Sequence, residues 1–404
     1  MTRAVLFNIR IILIAGLLTS AASGQVSIPW TGQDQTADLQ AGINEAIRTK
    51  QALVLDGGDY LFSDTLRIPA VIGFSMHGVA PGEDRAPNST YRGAATRLVW
   101  RGPDDGRPGI LCSCTQGRFG ITLSGKLKRN DPAPQHWVAW RWQHQKGIGT
   151  GKSHFDWFAA TDCAVGMAFG QSVGEHNNDN ISFTTLFLDG CGAGLQLNNQ
   201  MAMGIHAQTI HAVSAKRIVE VNAGGAVYAD SVKAIGPTTL LYIGSPGPGS
   251  NNGIFRFANV KVDQHAGSGF MLLDMAEASP IDVTFEGGLI AYDDYTADGA
   301  LLVNALGGAR VVLRDWKNLQ GGTMKLKGVR KKDPSDGMHK WVPPHLTVET
   351  SRIGGGVDGS LGKLIHAESV HFTFRGRDCT GAGNAPLEDL SSSAVVEANE
   401  SLTK

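Results

Sequence analysis

Charge of either sign is not in excess in this chain. Lys and Arg number 36 against 37 Asp and Glu, a net charge of -1, and that balance argues against nucleic acid or an anionic membrane as the main partner. Beyond the N-terminus no stretch runs for 18 apolar residues, so no membrane span is expected after processing. The five cysteines show no C-x2-C pairs, which removes the common zinc spacings. A sustained 3.6-residue apolar period is also missing from the middle of the chain, which excludes a helical bundle.

What abounds is glycine, 52 of 404 residues, about twice the usual ~7% and a composition suited to short strands and tight turns. The stretch ISFTTLFLDGCGAGLQLN (181–198) is followed by IHAQTIHAVSAKRIVEVN (205–222). Overlaid without a gap, they share apolar slots but almost no identities. SHFDWFAATDCAVGMAFG (153–170) and VYADSVKAIGPTTLLYIG (227–244) fit the same frame. With small insertions, further frames begin near 254, 283 and 311. A period of this size signals a solenoid, and the alternating slots within each unit signal strands. Each unit reads as a strand, a polar bend such as Thr184-Thr185 or Asp230-Ser231, a second strand, a glycine turn and a third strand. Stacked units would pair equivalent strands about 4.8 Å apart, so the buried slots keep their size class while their letters drift.

The N-terminus predicts export. Arg3 and Arg10 accompany the apolar run IILIAGLL (11–18), and Ala22 and Gly24 stand at -3 and -1 of a cleavage site before Gln25, the pattern of a signal peptide. The expected location is secreted or periplasmic. Residues 25–330 then form the solenoid, 331–378 a loop with capping strands, and 379–404 a loose tail.

The segment TADLQAGINEAIRTKQALVLDGGDYLFSDTLRIP (36–69) opens with an amphipathic helix, with Leu39, Ile43, Ala46 and Ile47 on one face and Thr36 placed as its N-cap. A strand, a glycine turn, Tyr60 and the strand TLRIP follow. This opening resembles the pectate-lyase-like right-handed parallel β-helix superfamily, in which a helix plugs one end of the coil, and RLVWRG (97–102) and RFGITLSG (118–125) continue like its early coils. The resemblance spans about residues 36 to 328 and implies an all-β, single-stranded right-handed parallel β-helix with an N-terminal capping helix. It implies no single activity, because the superfamily holds lyases, hydrolases, epimerases, tailspikes and adhesins. The hydrolase motifs of the polygalacturonase type are missing: the pair Asp293-Asp294 follows Tyr292 and lacks the Gly-Asp-Asp context. The string begun by Arg85 and Pro87 ends in Thr90, where the arginine of a pectate lyase would stand. No catalytic set therefore carries over.

The overlay itself nominates site residues. On the second strand the outward slot holds Phe187, His211, Lys233, Lys261 and Lys317, a basic ladder suited to a polyanion. On the third it holds Gln196, Glu220, Tyr242 and Leu272, with Asn198, Asn222, Asp274 and Asn304 at its exit; in the resembled superfamily the cleft runs along this strand. A wetted outer surface would be polar on either face without any function. A polyuronate lyase needs a base and a neutraliser for the substrate carboxylate; Lys233, Lys261 or His265 could be the base and Arg256, or a divalent cation such as calcium held by Asp residues, the neutraliser. A hydrolase needs two flanking carboxylates, and Glu220 with Asp263 or Asp274 would stand about 10 Å apart.

HWVAWRWQHQ (136–145) crowds Trp137, Trp140 and Trp142 into an excursion between coils. Packing accounts for two of them and one, Trp142, is left as a sugar platform. Cys163 and Cys191 share a slot in successive units, close enough for a disulfide but equally suited to two stacked buried thiols. GIGTGKS (147–153) lacks the first glycine of a phosphate loop and leads into a strand, so it is not one. The expected function is a polysaccharide-degrading protein, lyase ahead of hydrolase, with a non-catalytic glycan-binding or surface-structural protein as the alternative. The expected partner is a polysaccharide, acidic if the basic ladder is the binding face, and the assembly a monomer or a trimer.

Overall fold

Strand after strand pairs with its equivalent one coil further on. The computed structural model describes residues 24–80, 95–128, 130–144, 150–171, 178–236, 239–244, 253–264, 270–292, 300–316, 322–332, 335, 337–349, 365–367, 373–377 and 394–395. Among these, one sheet of 19 strands and another of 11 run the length of the chain, and their pairings are parallel except where Thr373–Arg377 meets Ala394–Val395. The fold is an all-β parallel β-helix with one N-terminal helix, as the repeat predicts.

One coil shows the construction. Ser182–Asp189 lies in the first sheet, a glycine turn follows, and Ala193–Leu197 lies in the second. Later coils divide the first-sheet strand in two, as in Gly225–Ala229 with Val232–Ile235 and Gly253–Ala258 with Val260–Gln264. The division falls at the predicted polar bends. Asn259 and Asp315 take φ of 47° and 56° there, a left-handed conformation that Asn and Asp tolerate best among non-glycine residues.

Register follows the overlay: Ser182 pairs with His206, and Ile205 with Val227. The next frame opens on Phe255, not Ile254, because Phe255 is buried and Ile254 faces out. Inside the coil, residues of one slot stack. Phe119, Phe155 and Phe183 form a column with ring centroids 4.9 and 5.0 Å apart, which Ala207 and Ala229 continue before Phe257 and Phe285 resume it.

Helix α1, Thr36–Thr49, closes the N-terminal end by burying Leu39, Ile43 and Ala46. Thr36 is not its N-cap; Gln35 holds that position without a side-chain bond. Asp34 accepts the Thr36 N–H at 2.9 Å instead, and the Thr36 hydroxyl accepts the N–H of Ser63, tying the helix to the first coil. At the other end His345–Glu349 and Thr373–Arg377 extend the first sheet, and Ile365–Ala367 extends the second. The hairpin Val329–Lys332 with His339–Val342 is an excursion from that ladder. No described helix is long and apolar enough to cross a membrane.

Two expectations about packing are corrected. The strand Val138–Trp142 is no excursion but a regular member of the second sheet, between Pro108–Cys112 and Val165–Phe169. Trp137, Trp140 and Trp142 are all fully buried, and the Trp142 indole N–H points at Met167 Sδ, 3.3 Å away. Trp142 is core, because strand alternation turns it inward with Trp140, and it offers no face to a ligand. Cys112 and Cys114, two residues apart, turn both sulfurs inward, 3.3 Å from each other, and both are free thiols.

Candidate functional site

The second sheet presents one continuous outward ladder: Gln196, Glu220, Tyr242, Asp274 and Asn304 stand in register, one per coil. Leu272 is not part of it. Leu272 and Leu273 are both buried, as are Leu240 with Leu241 and Ile218 with Val219. Each strand here turns two successive residues inward, so the alternation changes phase and Asp274 takes the outward slot.

That phase change creates the most organised group on this face. Arg217 lies on one side of the inward pair and Glu220 on the other, so both face out. The Arg217 guanidinium donates to Glu220 at 2.6 Å and lies 3.6 Å from the centre of the Tyr242 ring. Gln196 Nε2 and Asn222 Nδ2 donate to Glu220 Oε1 at 3.0 and 3.2 Å, and Asn222 also donates to Asn198. Glu220 is thus a carboxylate fixed by three donors, with a side chain only 12% exposed. Asp274 accepts from Asn304 at 2.9 Å.

Beside the ladder lies an open groove of about 480 Å³, floored by Ala164, Val165, Gly192 and Ala193 and walled by Gln196, Arg217 and Glu220. Its small floor residues have a structural cause. A Cβ at Gly192 would come 2.7 Å from the carbonyl oxygen of Ala164, closer than real Cβ contacts allow, so the coil corner stays shallow. An apolar floor against a wall of amides and charges suits a sugar ring, whose C–H face and hydroxyl edge need different partners.

The remaining candidates lie elsewhere. His211, Lys233 and Lys261 do stack in register, but on the first sheet, and Leu289 follows them. The basic ladder is therefore short. His211 adds no charge to it: burial, reinforced by the Lys233 ammonium, pushes its pKa below the usual histidine value, and its ring packs 5.5 Å from Phe187. Asp263 shares that sheet with Lys261, whereas Glu220 stands on the second sheet. Arg256 stands on the other half of the first sheet, in register between Tyr228 and Thr284. A lyase set joining Arg256 to Lys233 or Lys261 is split between the two halves of that sheet. His265, Asp293, Asp294 and Lys317 lie outside the described residues.

Cys163 and Cys191 meet as their shared slot requires, with sulfurs 3.1 Å apart. Both are free thiols, and burial pushes the Cys163 thiol well above its usual pKa. Among the described residues no three His, Cys, Asp or Glu side chains gather as a metal site.

Arg217 was not legible by strict alternation, which turns it inward from Glu220. The available signal was the pair of adjacent apolar residues, Ile218-Val219, repeated as Leu240-Leu241 and Leu272-Leu273. Comparison of the chain with family models, with curated proteins and with solved structures finds no match.

Proposed function

We propose that this protein engages an extended polysaccharide along the outer face of its second sheet, with a sugar ring seated on the small-residue floor against Gln196, Arg217 and Glu220. The observation that carries the reading is the Arg217–Glu220–Tyr242 group at the edge of an apolar-floored groove, continued along the axis by polar residues at each coil. The resemblance of residues 36–69 to the opening of the pectate-lyase-like superfamily supports the same face, since the cleft there runs along this strand. The signal-peptide pattern of residues 1–24 supports action outside the cytoplasm.

Binding is the chemistry this geometry favours. Both Glu220 oxygens already accept hydrogen bonds from an arginine and two amides, a fixed polar edge of the kind that orients a sugar hydroxyl. Hydrolysis is the second reading, favoured by one observation: Glu220 and Asp274 share a slot two coils apart, about 10 Å by strand spacing and near the upper end of the range for inverting hydrolases.

The test incubates the processed chain with a panel of neutral and acidic polysaccharides and follows gel retardation, reducing ends and ultraviolet absorbance. Retardation without new ends or absorbance is expected. Reducing ends that vanish in both Glu220→Gln and Asp274→Asn would establish the hydrolase reading, and absorbance from an unsaturated product would establish a lyase. No signal from any polymer would remove the carbohydrate reading altogether.

A further inference from the structure

We propose that Ser75, His77 and Asp156, with Arg118 beside them, form an acyl-ester hydrolysing site on the outer face of the first sheet. This goes beyond glycan engagement and does not depend on the groove, which belongs to the other sheet.

Ser75 and His77 are two residues apart on the strand Ser75–His77, so their side chains project from the same face. The Ser75 hydroxyl lies 2.7 Å from His77 Nε2. With the hydroxyl donating, Nε2 is the acceptor and the ring proton sits on Nδ1. Nδ1 faces Asp156 Oδ2 at 3.8 Å. This is the order of roles in a serine nucleophile with its base and orienting carboxylate.

Asp156 reaches this position through a local irregularity. The strand His154–Thr161 pairs with Arg118–Ser124, and the register shifts between Phe155 and Trp157. The residue left over is Asp156, a bulge that re-aims one side chain. Arg118 then fixes the carboxylate, donating from Nε and one terminal nitrogen to its two oxygens at 3.0 Å each. This pairing holds the Asp156 carboxyl below the usual range. Burial lowers the His77 pKa, opposed by Asp156 and aided by Arg118, so the imidazole is neutral and able to accept a proton.

Two more features shape a substrate position. Arg118 is in register with Ser75, placing a cation beside the carbonyl oxygen of a bound ester. Gly120 is in register with both His77 and Trp157, and the Trp157 ring fills the space a Cβ there would need, 2.4 Å from it. The indole thereby forms a wall next to the imidazole. The neighbouring His154 is placed differently: it meets Ser182, Thr184 and Asp156 at 2.9, 3.4 and 3.4 Å, with both ring nitrogens engaged.

The substrate is a small acyl ester of a polar alcohol. Ser75 Oγ bonds to the ester carbon as its proton passes to His77 Nε2. The carbon–oxygen bond to the alcohol breaks, and the leaving oxygen takes that proton. Water then bonds to the acyl carbon, giving its proton to His77; the bond from that carbon to Ser75 Oγ breaks, and His77 returns the proton to Oγ. The net reaction is ester plus water to acid plus alcohol, with no other reactant.

The experiment treats the processed chain with a fluorophosphonate, maps the label by mass spectrometry, and follows 4-nitrophenyl acetate hydrolysis. The expected result is label on Ser75, and loss of hydrolysis by at least about 100-fold in Ser75→Ala and His77→Gln. Asp156 is a positioning residue, so Asp156→Asn should lower kcat and leave KM unchanged. Absence of label and turnover in the folded wild type, or label on Ser182 or any other residue, overturns the proposal. Mapping the wild type keeps the test valid even where a variant fails to fold.

Discussion

At the scale of single residues, burial decides which charges are useful and which are costly. Asp179 is a costly one. Its Oδ1 is buried without a hydrogen-bond partner, and burial pushes its carboxyl above the usual range. Because the folded pKa lies above the unfolded value of about 3.9, the protonated group favours the fold at low pH, and that contribution is lost as pH rises through the folded pKa. Asp179→Asn should therefore raise the thermal midpoint at pH 7 and leave it nearly unchanged at pH 3. An equal effect at both pH values would mean that ionisation is not the cause. Glu220 is the contrasting case, a carboxylate of low exposure that its three donors satisfy. Its outward place was legible in the sequence through its slot, while that of Arg217 was not. A side chain's slot follows from alternation, but alternation assumes a strand without a phase change, and Ile218-Val219 breaks it.

At the scale of the element, the columns inside the coil carry the stability. Phe155 is fully buried and stacks on Phe119 on one side and Phe183 on the other. Phe155→Ala removes both stacked contacts and the edge contacts with Trp140, Trp142 and Phe158, and leaves a cavity in a solenoid whose neighbours cannot close on it without shifting register. The expected loss is about 3–5 kcal/mol in denaturant unfolding; a loss below about 1 kcal/mol would mean that the column is not a stabilising unit. The repeat was legible because the buried slots recur at fixed spacing. The fifth frame opens on Phe255, one residue after its first apolar letter, and its outward Lys261 pairs with Lys233 as the overlay placed it. The tryptophan cluster failed as a ligand platform because Trp140 and Trp142 suit a buried strand face as well as an exposed one, and the neighbouring strands of the second sheet make it buried.

At the scale of the whole molecule, a solenoid divides its surface into faces, and residues that sequence places in similar slots need not share one. Lys233 and Lys261 line one half of the first sheet, Arg256 the other half, and Glu220 with Tyr242 the second sheet. Sequence reading identified most of the outward residues, though not Arg217 or Asp274's place in the slot, and the order of coils. It could not say which candidates were close enough to act together, because strand-to-strand turns determine that and their glycine-rich sequences carry little directional information. The structure separates an amide-rich groove on one face from a Ser–His–Asp group on another. The central claim is that the groove is the face a polysaccharide meets. The most direct measurement compares affinity-gel retardation of Tyr242→Ala and Arg217→Ala with that of Lys233→Ala and Lys261→Ala on the polymer that retards the wild type most. Each groove variant should weaken binding by at least about tenfold, equivalent to about 1.4 kcal/mol, and the lysine variants by less than about twofold. Loss confined to the lysine variants would contradict the assignment and move the binding face to the first sheet.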